Sequence, residues 1–314
     1  MDVVVTGVGV VCPLGLEAAE VCAAVRAGAT GLREHGPLAA LPGGSLAGVV
    51  EGPDLRRWLL RRKDAKLLPR AAELGLVAAG VALGAWPGDR ADLGLFVGVG
   101  REPPDDGESE PALIAAAVDG KLDEGRLAGP GRDLYPPLLP LKTLPNMSLA
   151  HISINLGVMG PNNAWAGALE AGLRAVAAGA YAVAEGRCPA ALVGGAASLV
   201  DLGSARDRLR MGAAGAPGEA AAFLLIETRA SAEARGALIL GELSVLAPGE
   251  GAGLQAAPGA AAWVAAAGDA GPATGALMVV GALFSALPRA EGSLVRLAGD
   301  PGASALRVSA AAAC

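Results

Sequence analysis

Histidine is nearly absent from this 314-residue chain: there are two, His35 and His151, and none follows residue 151. Chemistry that needs paired imidazoles from the second half of the chain is therefore excluded. Aromatic residues make up 3% of the sequence, and Ala and Gly dominate, a composition in keeping with a GC-rich coding bias. The four cysteines, Cys12, Cys22, Cys188 and Cys314, show no C-x-x-C spacing, which argues against a disulfide framework and a zinc site. Nothing near Cys12 or Cys188 in sequence would lower a thiol pKa, so both read as small buried hydrophobes. Positive charge is also scarce, with a net charge of −6, so a nucleic-acid binder is not expected. No basic region precedes the Val-rich amino terminus, so no signal peptide is read. The best membrane candidate, residues 270–287, is interrupted by Gly271, Pro272, Thr274, Gly275 and Gly281, and its apolar core from Ala276 suits a buried helix too short to span a bilayer. A cytoplasmic protein is expected. Ser148, Ser153 and Ser198 lack a G-x-S-x-G elbow, so a serine hydrolase is disfavoured.

Apolar residues make up 53% of the chain, enough for one large core or two fused halves. The stretch from Pro145 to Gly172 organises the rest. It turns at Gly160-Pro161, runs through Asn162–Ala168 and feeds an Ala-rich helix from Leu169 to Arg187. A strand, a sharp turn and a helix start make the usual seat for a nucleophile, because the helix amino end stabilises negative charge. Elsewhere, residues 2–11, 92–100 and 190–198 read as strands. Helices are expected from Leu16 to Arg26, across the segment carrying Leu67, Leu74, Val77, Val81 and Leu83, and from Pro111 to about Gly120. Residues 31–52 and 101–110 read as loops, with His35 solvated. Thr6-Gly7-Val8-Gly9 lacks the third glycine of a dinucleotide fingerprint, since Cys12 stands in its place. Arg56, Arg57, Arg61, Arg62, Lys63, Lys66 and Arg70 form the one dense basic cluster, preferred as a solvated face and alternatively a docking patch for an acidic partner.

The stretch PNM…HISI…GPN…G at residues 145–172 resembles the nucleophile region of β-ketoacyl-ACP synthases. TGVGVVCPLG near the amino terminus, DLGLFVGVG, AALVGGAAS and PGEAAAFLLIE resemble further segments of that family in the same order, and the resemblance implies strands over 217–227, 234–246 and 304–310. The resemblance covers residues 1 to 247 well and the rest loosely. It implies a thiolase-like α/β fold, two α/β halves in an αβαβα layering, with a ketosynthase-like half at 1–247 and a truncated carboxy-terminal half at 248–314. The region from Asp201 to Pro217 is also shorter than in the family. Counting from GPN, the family's nucleophilic Cys falls on Leu169, and in the best local match for a catalytic histidine Pro272 stands instead. No catalytic residue is therefore expected.

The implied role is that of a chain-length-factor-like subunit in a type II polyketide system, a polyene-making one included, or in a fatty-acyl system. It would pair with an active ketosynthase in a heterodimer or heterotetramer and shape the acyl tunnel. Tunnel or interface candidates are Leu113, Ala116, Ala117, Met147, His151, Trp165 and Glu170. For His151 a satisfied structural histidine is preferred, and for Glu170 helix capping is preferred over a plug in the vacated site. Arg61, Arg62, Lys63 and Lys66 are the candidates for docking an acyl carrier protein through its phosphopantetheine phosphate. No metal and no cofactor of its own is expected. The alternatives are a free-standing thiolase-superfamily acyl hydrolase or transferase using other residues, and a pure scaffold.

Overall fold

The computed structural model describes residues 2–42, 44–84, 86–100, 107–247, 250, 255–285, 292–296 and 305–310. The predicted loop residues 101–106, the end of the charge-free stretch at 286–287, and Cys314 lie outside them.

Nine strands form one mixed sheet: β1 (Val3–Val11), β2 (Gly94–Val99), β3 (Asn162–Ala166), β4 (Ala190–Ser198), β5 (Glu219–Thr228), β6 (Gly241–Leu246), β7 (Gln255–Ala256), β8 (Ser293–Val295) and β9 (Ala305–Ala310). Their order is β7-β8-β9-β6-β1-β5-β4-β2-β3. The two portions of the sheet meet where β6 pairs antiparallel with the first three residues of β1, Val3–Val5. Beyond Val5 the pairing of β1 with β5 shifts register before Gly7, a bulge that bends the strand away from β6. Strands β1–β5 thus form a five-stranded portion and β6–β9 a four-stranded one.

The main helices are α1 (Ala18–Arg26), α2 (Arg70–Leu83), α3 (Glu110–Ala116), α4 (Met147–Leu156), α5 (Leu169–Ala184), α6 (Leu202–Arg210), α7 (Ala260–Ala267) and α8 (Pro272–Leu283). On one face of the five-stranded portion, α2 packs against β1, β4 and β5, and α4 packs against α2 and β2. On the other face lie α5 and α8, and α8 also touches β8 and β9. Every residue of α8 is buried, as expected of a helix held between two sheet portions. This accounts for the charge-free stretch, and no described helix is long and apolar enough to cross a membrane. The strands β2, β4 and β5 are covered on both faces and read as continuous apolar runs. In the four-stranded portion, Leu243, Leu306 and Val308 are buried while Glu242 and Ser244 are exposed. That alternation marks a sheet with one wet face.

Gly7 and Gly9 face α2, where a Cβ on either would run into the carbonyl oxygens of Ala82 and Ala78. Their role is close packing of strand on helix. Several sequence expectations change in detail. The helix expected to reach Gly120 stops at Ala116, because Asp119 and Gly120 take φ of 50° and 73°. Positive φ at both central residues gives the type I′ turn of a two-residue hairpin, here between Ala117–Val118 and Lys121–Leu122. Residues 31–52 include a short ribbon, Leu32–Glu34 against Leu46–Gly48, and His35 is half-buried beside it, its N–H donating to Ser45 O at 2.7 Å. Val81 is 46% exposed, so it stands outside the core face of α2, and Leu67 lies before that helix begins. The strand expected over 234–246 is confined to β6.

Candidate functional site

The amino end of α5 is set by the turn Gly167-Ala168 after β3. The Gly167 N–H donates to the Val99 carbonyl at the end of β2, 3.1 Å away, which fixes the chain just before the helix starts. Leu169 is the first helical residue and is half-buried. Pro272 opens α8 beside it: a side chain on Gly172 would collide with the Pro272 carbonyl oxygen, and one on Gly195 would come within 2.6 Å of it. A Cβ on Gly275 would lie 2.5 Å from the Leu169 carbonyl oxygen. The first turns of α5 and α8 therefore touch backbone to backbone, and residues 169 and 272 share one site. Neither side chain offers a nucleophile, a base or a donor to a developing oxyanion.

Glu170 turns back on its own helix. Its Oε1 accepts the Ala168 N–H at 3.3 Å, and a Cβ on Gly167 would stand 2.6 Å from that same oxygen. A carboxylate in the first turn is favoured by the helix dipole, so its position agrees with capping. Trp165 lies opposite Gly98 in the parallel pairing of β3 with β2, on the face that meets α5. It is half-buried, with its ring centroid 6.2 Å from that of Phe96 and an interplanar angle of 31°.

The remaining candidates lie apart from this helix crossing. Met147 and His151 are buried on α4, across the sheet from α5. Burial lowers the His151 pKa, opposed in part by the carbonyls of Leu141 and Leu67 and by Asp64, while its Nε2 has no hydrogen-bond partner. Leu113 is 45% exposed on α3 and Ala117 is exposed at the hairpin, whereas Ala116 is fully buried. Arg62, Lys63 and Lys66 are exposed on a 3₁₀ turn spanning Arg62–Leu67 and make no ion pair among the described residues. Arg61 is tied to Asp64 at 2.8 Å.

Arg70 leaves the basic cluster altogether. Its Nη2 donates to Glu219 Oε1 and to the Val50 carbonyl, both at 2.8 Å, and its Nη1 donates to Glu73 at 3.1 Å. Burial works against its charge, but Glu219 and Glu73 more than offset that and raise its pKa. Glu219 also accepts from Ser198 Oγ at 2.9 Å, so one carboxylate ties together the ends of β4 and β5 and the start of α2. A matching cluster at the other end of β5 escaped sequence reasoning. There Glu227, with no exposed surface, accepts from Thr6 at 2.7 Å, Ser231 at 2.8 Å and Arg235 at 2.5 Å. The one available signal was a Glu at each end of an otherwise apolar strand.

Cys12, Cys22 and Cys188 are buried free thiols. Burial pushes Cys12 to about 11 and Cys22 to about 12, and raises Cys188 as well. Among the described residues no group of three or more His, Cys, Asp or Glu could hold a metal ion.

No curated relative matches the chain by sequence. Among solved structures, the fold is similar to a type II polyketide synthase acyl-carrier protein in complex with its ketosynthase bound to the hexaketide (AntDE:AntF), at 18% identity and a TM-score of 0.74 over 99% of each chain. It is similar to the ishigamide ketosynthase/chain length factor at 19% identity and a TM-score of 0.72, again over 99% of each chain. A β-ketoacyl synthase from Burkholderia phymatum STM815 matches at 21% identity and a TM-score of 0.58, over 86% of this chain and 70% of that one. These likenesses agree in a thiolase-like ketosynthase fold. The profile of the β-ketoacyl synthase N-terminal domain matches residues 59–245, from the basic segment before α2 to the end of β6, including the helix end where Leu169 stands. With that span matched, the chain belongs to the β-ketoacyl synthase family.

Proposed function

We propose that this protein is a non-catalytic, chain-length-factor-like partner of an active ketosynthase, forming a heterodimer with it and shaping the acyl tunnel at their interface. The observation that carries this reading is the backbone contact between the first turns of α5 and α8, the turns that carry Leu169 and Pro272, the positions where the family resemblance puts a thiolate and an imidazole. In this reading both substitutions belong to one site in a shortened ketosynthase frame.

The surface supports a partner. Among the described residues β3 ends the sheet and pairs on one side only, with β2, which leaves its other edge available for pairing with a second chain. Among the described residues, ten of the eighteen exposed large apolar side chains fall between residues 113 and 159, among them Ile114, Leu122, Leu134, Leu138, Ile154 and Met159. So strong a concentration in one stretch is characteristic of a surface covered by another protein. Leu113 and Ala117 belong to this stretch and are the preferred tunnel-wall candidates, while Ala116 faces inward. In this reading the exposed Arg62, Lys63 and Lys66 steer an acidic acyl carrier protein toward the complex. The elongation chemistry, and the use of the carrier's phosphopantetheine arm, belong to the partner.

Co-expression with an intact Cys/His/His ketosynthase from the same gene neighbourhood tests the pairing. Co-purification as a stable heterodimer is the expected result. A soluble, monomeric chain that never co-purifies with such a partner would overturn it.

A further inference from the structure

Away from the α5–α8 crossing, a cavity of about 450 Å³ lies between the 32–48 ribbon and α6. That volume falls within the range of small-molecule sites, about 300–1,000 Å³. Its walls are apolar: Leu32, Leu38, Leu41, Leu46, Ala205 and Leu209. Leu38 is buried at 1% exposure, while Leu46 and Leu209 are 49% and 43% exposed. Greasy, solvent-facing side chains opening onto a lined cavity describe an entrance for an apolar chain.

The cavity holds one charged group. Arg208 lines it and is 7% exposed. Its Nη1 pairs with Asp269, and its Nη2 donates to the carbonyls of Ala214 and Gly215, each at 3.2 Å. The Asp269 carboxylate also accepts the Gly271 N–H at 2.9 Å, so this arginine is held in place from the loop that leads into α8. Nε–H has no partner among the described residues. A guanidinium held by three acceptors, with a donor to spare in an otherwise apolar cavity, is pre-oriented for an acceptor oxygen. Arg206 and Arg210 stand exposed on the same helix and add positive field near the cavity, with Arg210 partly offset by Asp207 at 3.3 Å.

We propose that this cavity binds an aliphatic carboxylate of medium chain length, its tail among Leu38, Leu41 and Leu46 and its head group on the Arg208 Nε–H. The site is distinct from the α5–α8 crossing, and its occupancy does not depend on the pairing proposed above.

The test is an equilibrium titration of the purified full chain, alone or in its complex, with dansyl-labelled undecanoate. Saturable one-to-one binding is expected, displaced by decanoate and about tenfold less well by decanol, because the neutral head forfeits a charge-assisted hydrogen bond. Leu46→Glu and Leu209→Glu, both at exposed positions, are each expected to weaken binding about tenfold with an unchanged melting temperature. Leu238→Glu, at a 67% exposed position outside the cavity lining, leaves binding unchanged. Non-saturable uptake, equal displacement by decanol, or wild-type affinity in both mouth variants would overturn the proposal.

Discussion

The carbonyl oxygen of Pro272 lies where a side chain on Gly172 would have to go. The two residues are 100 positions apart, and their contact locks the first turns of α5 and α8 together. Adding one methyl group there must push two helices apart inside a fully buried layer. Gly172→Ala is therefore expected to destabilise the fold by about 1–3 kcal/mol, the usual cost of overpacking. Urea denaturation measures it. A change within about 0.5 kcal/mol, as at an ordinary surface site, would mean the helices are not in backbone contact.

Glu227 has the opposite character, a buried charge that is fully paired. Burial alone would raise its pKa, but Arg235, Thr6 and Ser231 hold it below the ordinary carboxylate value. Its contribution to stability is therefore complete above the unfolded-state pKa and is lost as pH falls through the lowered folded value. Wild-type protein should lose stability below about pH 4, and Glu227→Gln should flatten the profile in that window. At neutral pH the same substitution leaves Arg235 without its carboxylate and is expected to cost about 3 kcal/mol. Denaturant melts from pH 3 to 7 (about one unit apart) decide both points.

The thiols make a simpler prediction. Cys12, Cys22 and Cys188 are buried with raised pKa values, so none should react with Ellman's reagent in the native state at neutral pH. All three should become reactive in denaturant. Rapid native labelling at any of them would show that the packing around β1, α1 and the start of β4 opens readily.

If α3 lines an acyl tunnel in the heterodimer, enlarging an exposed side chain there should shorten the product. Leu113→Phe and Ala117→Phe are expected to shift products toward shorter chains with complex stability unchanged, read by mass spectrometry of extracted products. Ala116 is unsuitable for this purpose, because a phenyl ring at its buried position would disrupt the helix. Unchanged product length in both variants would favour a scaffold.

The strands β2, β4 and β5 were legible in the sequence because burial on both faces demands uninterrupted apolar runs, and α8 because a helix between two sheets tolerates no charge. The candidate site has a different basis: motif order and residue identity single out Leu169 and Pro272, while the backbone approach of their two helices was not visible in the sequence. Long-range partners were not visible. Arg70 read as one more surface charge because Glu219, 149 residues away, is brought to it only by the fold. His151 stood near Leu169 in sequence, yet α4 and α5 lie on opposite faces of the sheet. The end of α3 was readable in principle: Asp119-Gly120 is a two-residue hairpin signal, and it outweighs helix propensity.

The most direct test of the central claim is intact-mass spectrometry of the heterodimer after incubation with an acyl-loaded carrier protein. The account predicts a covalent acyl adduct on the partner ketosynthase and an unmodified mass for this chain. An acyl adduct on this chain, or thioester turnover by this chain alone, would contradict it.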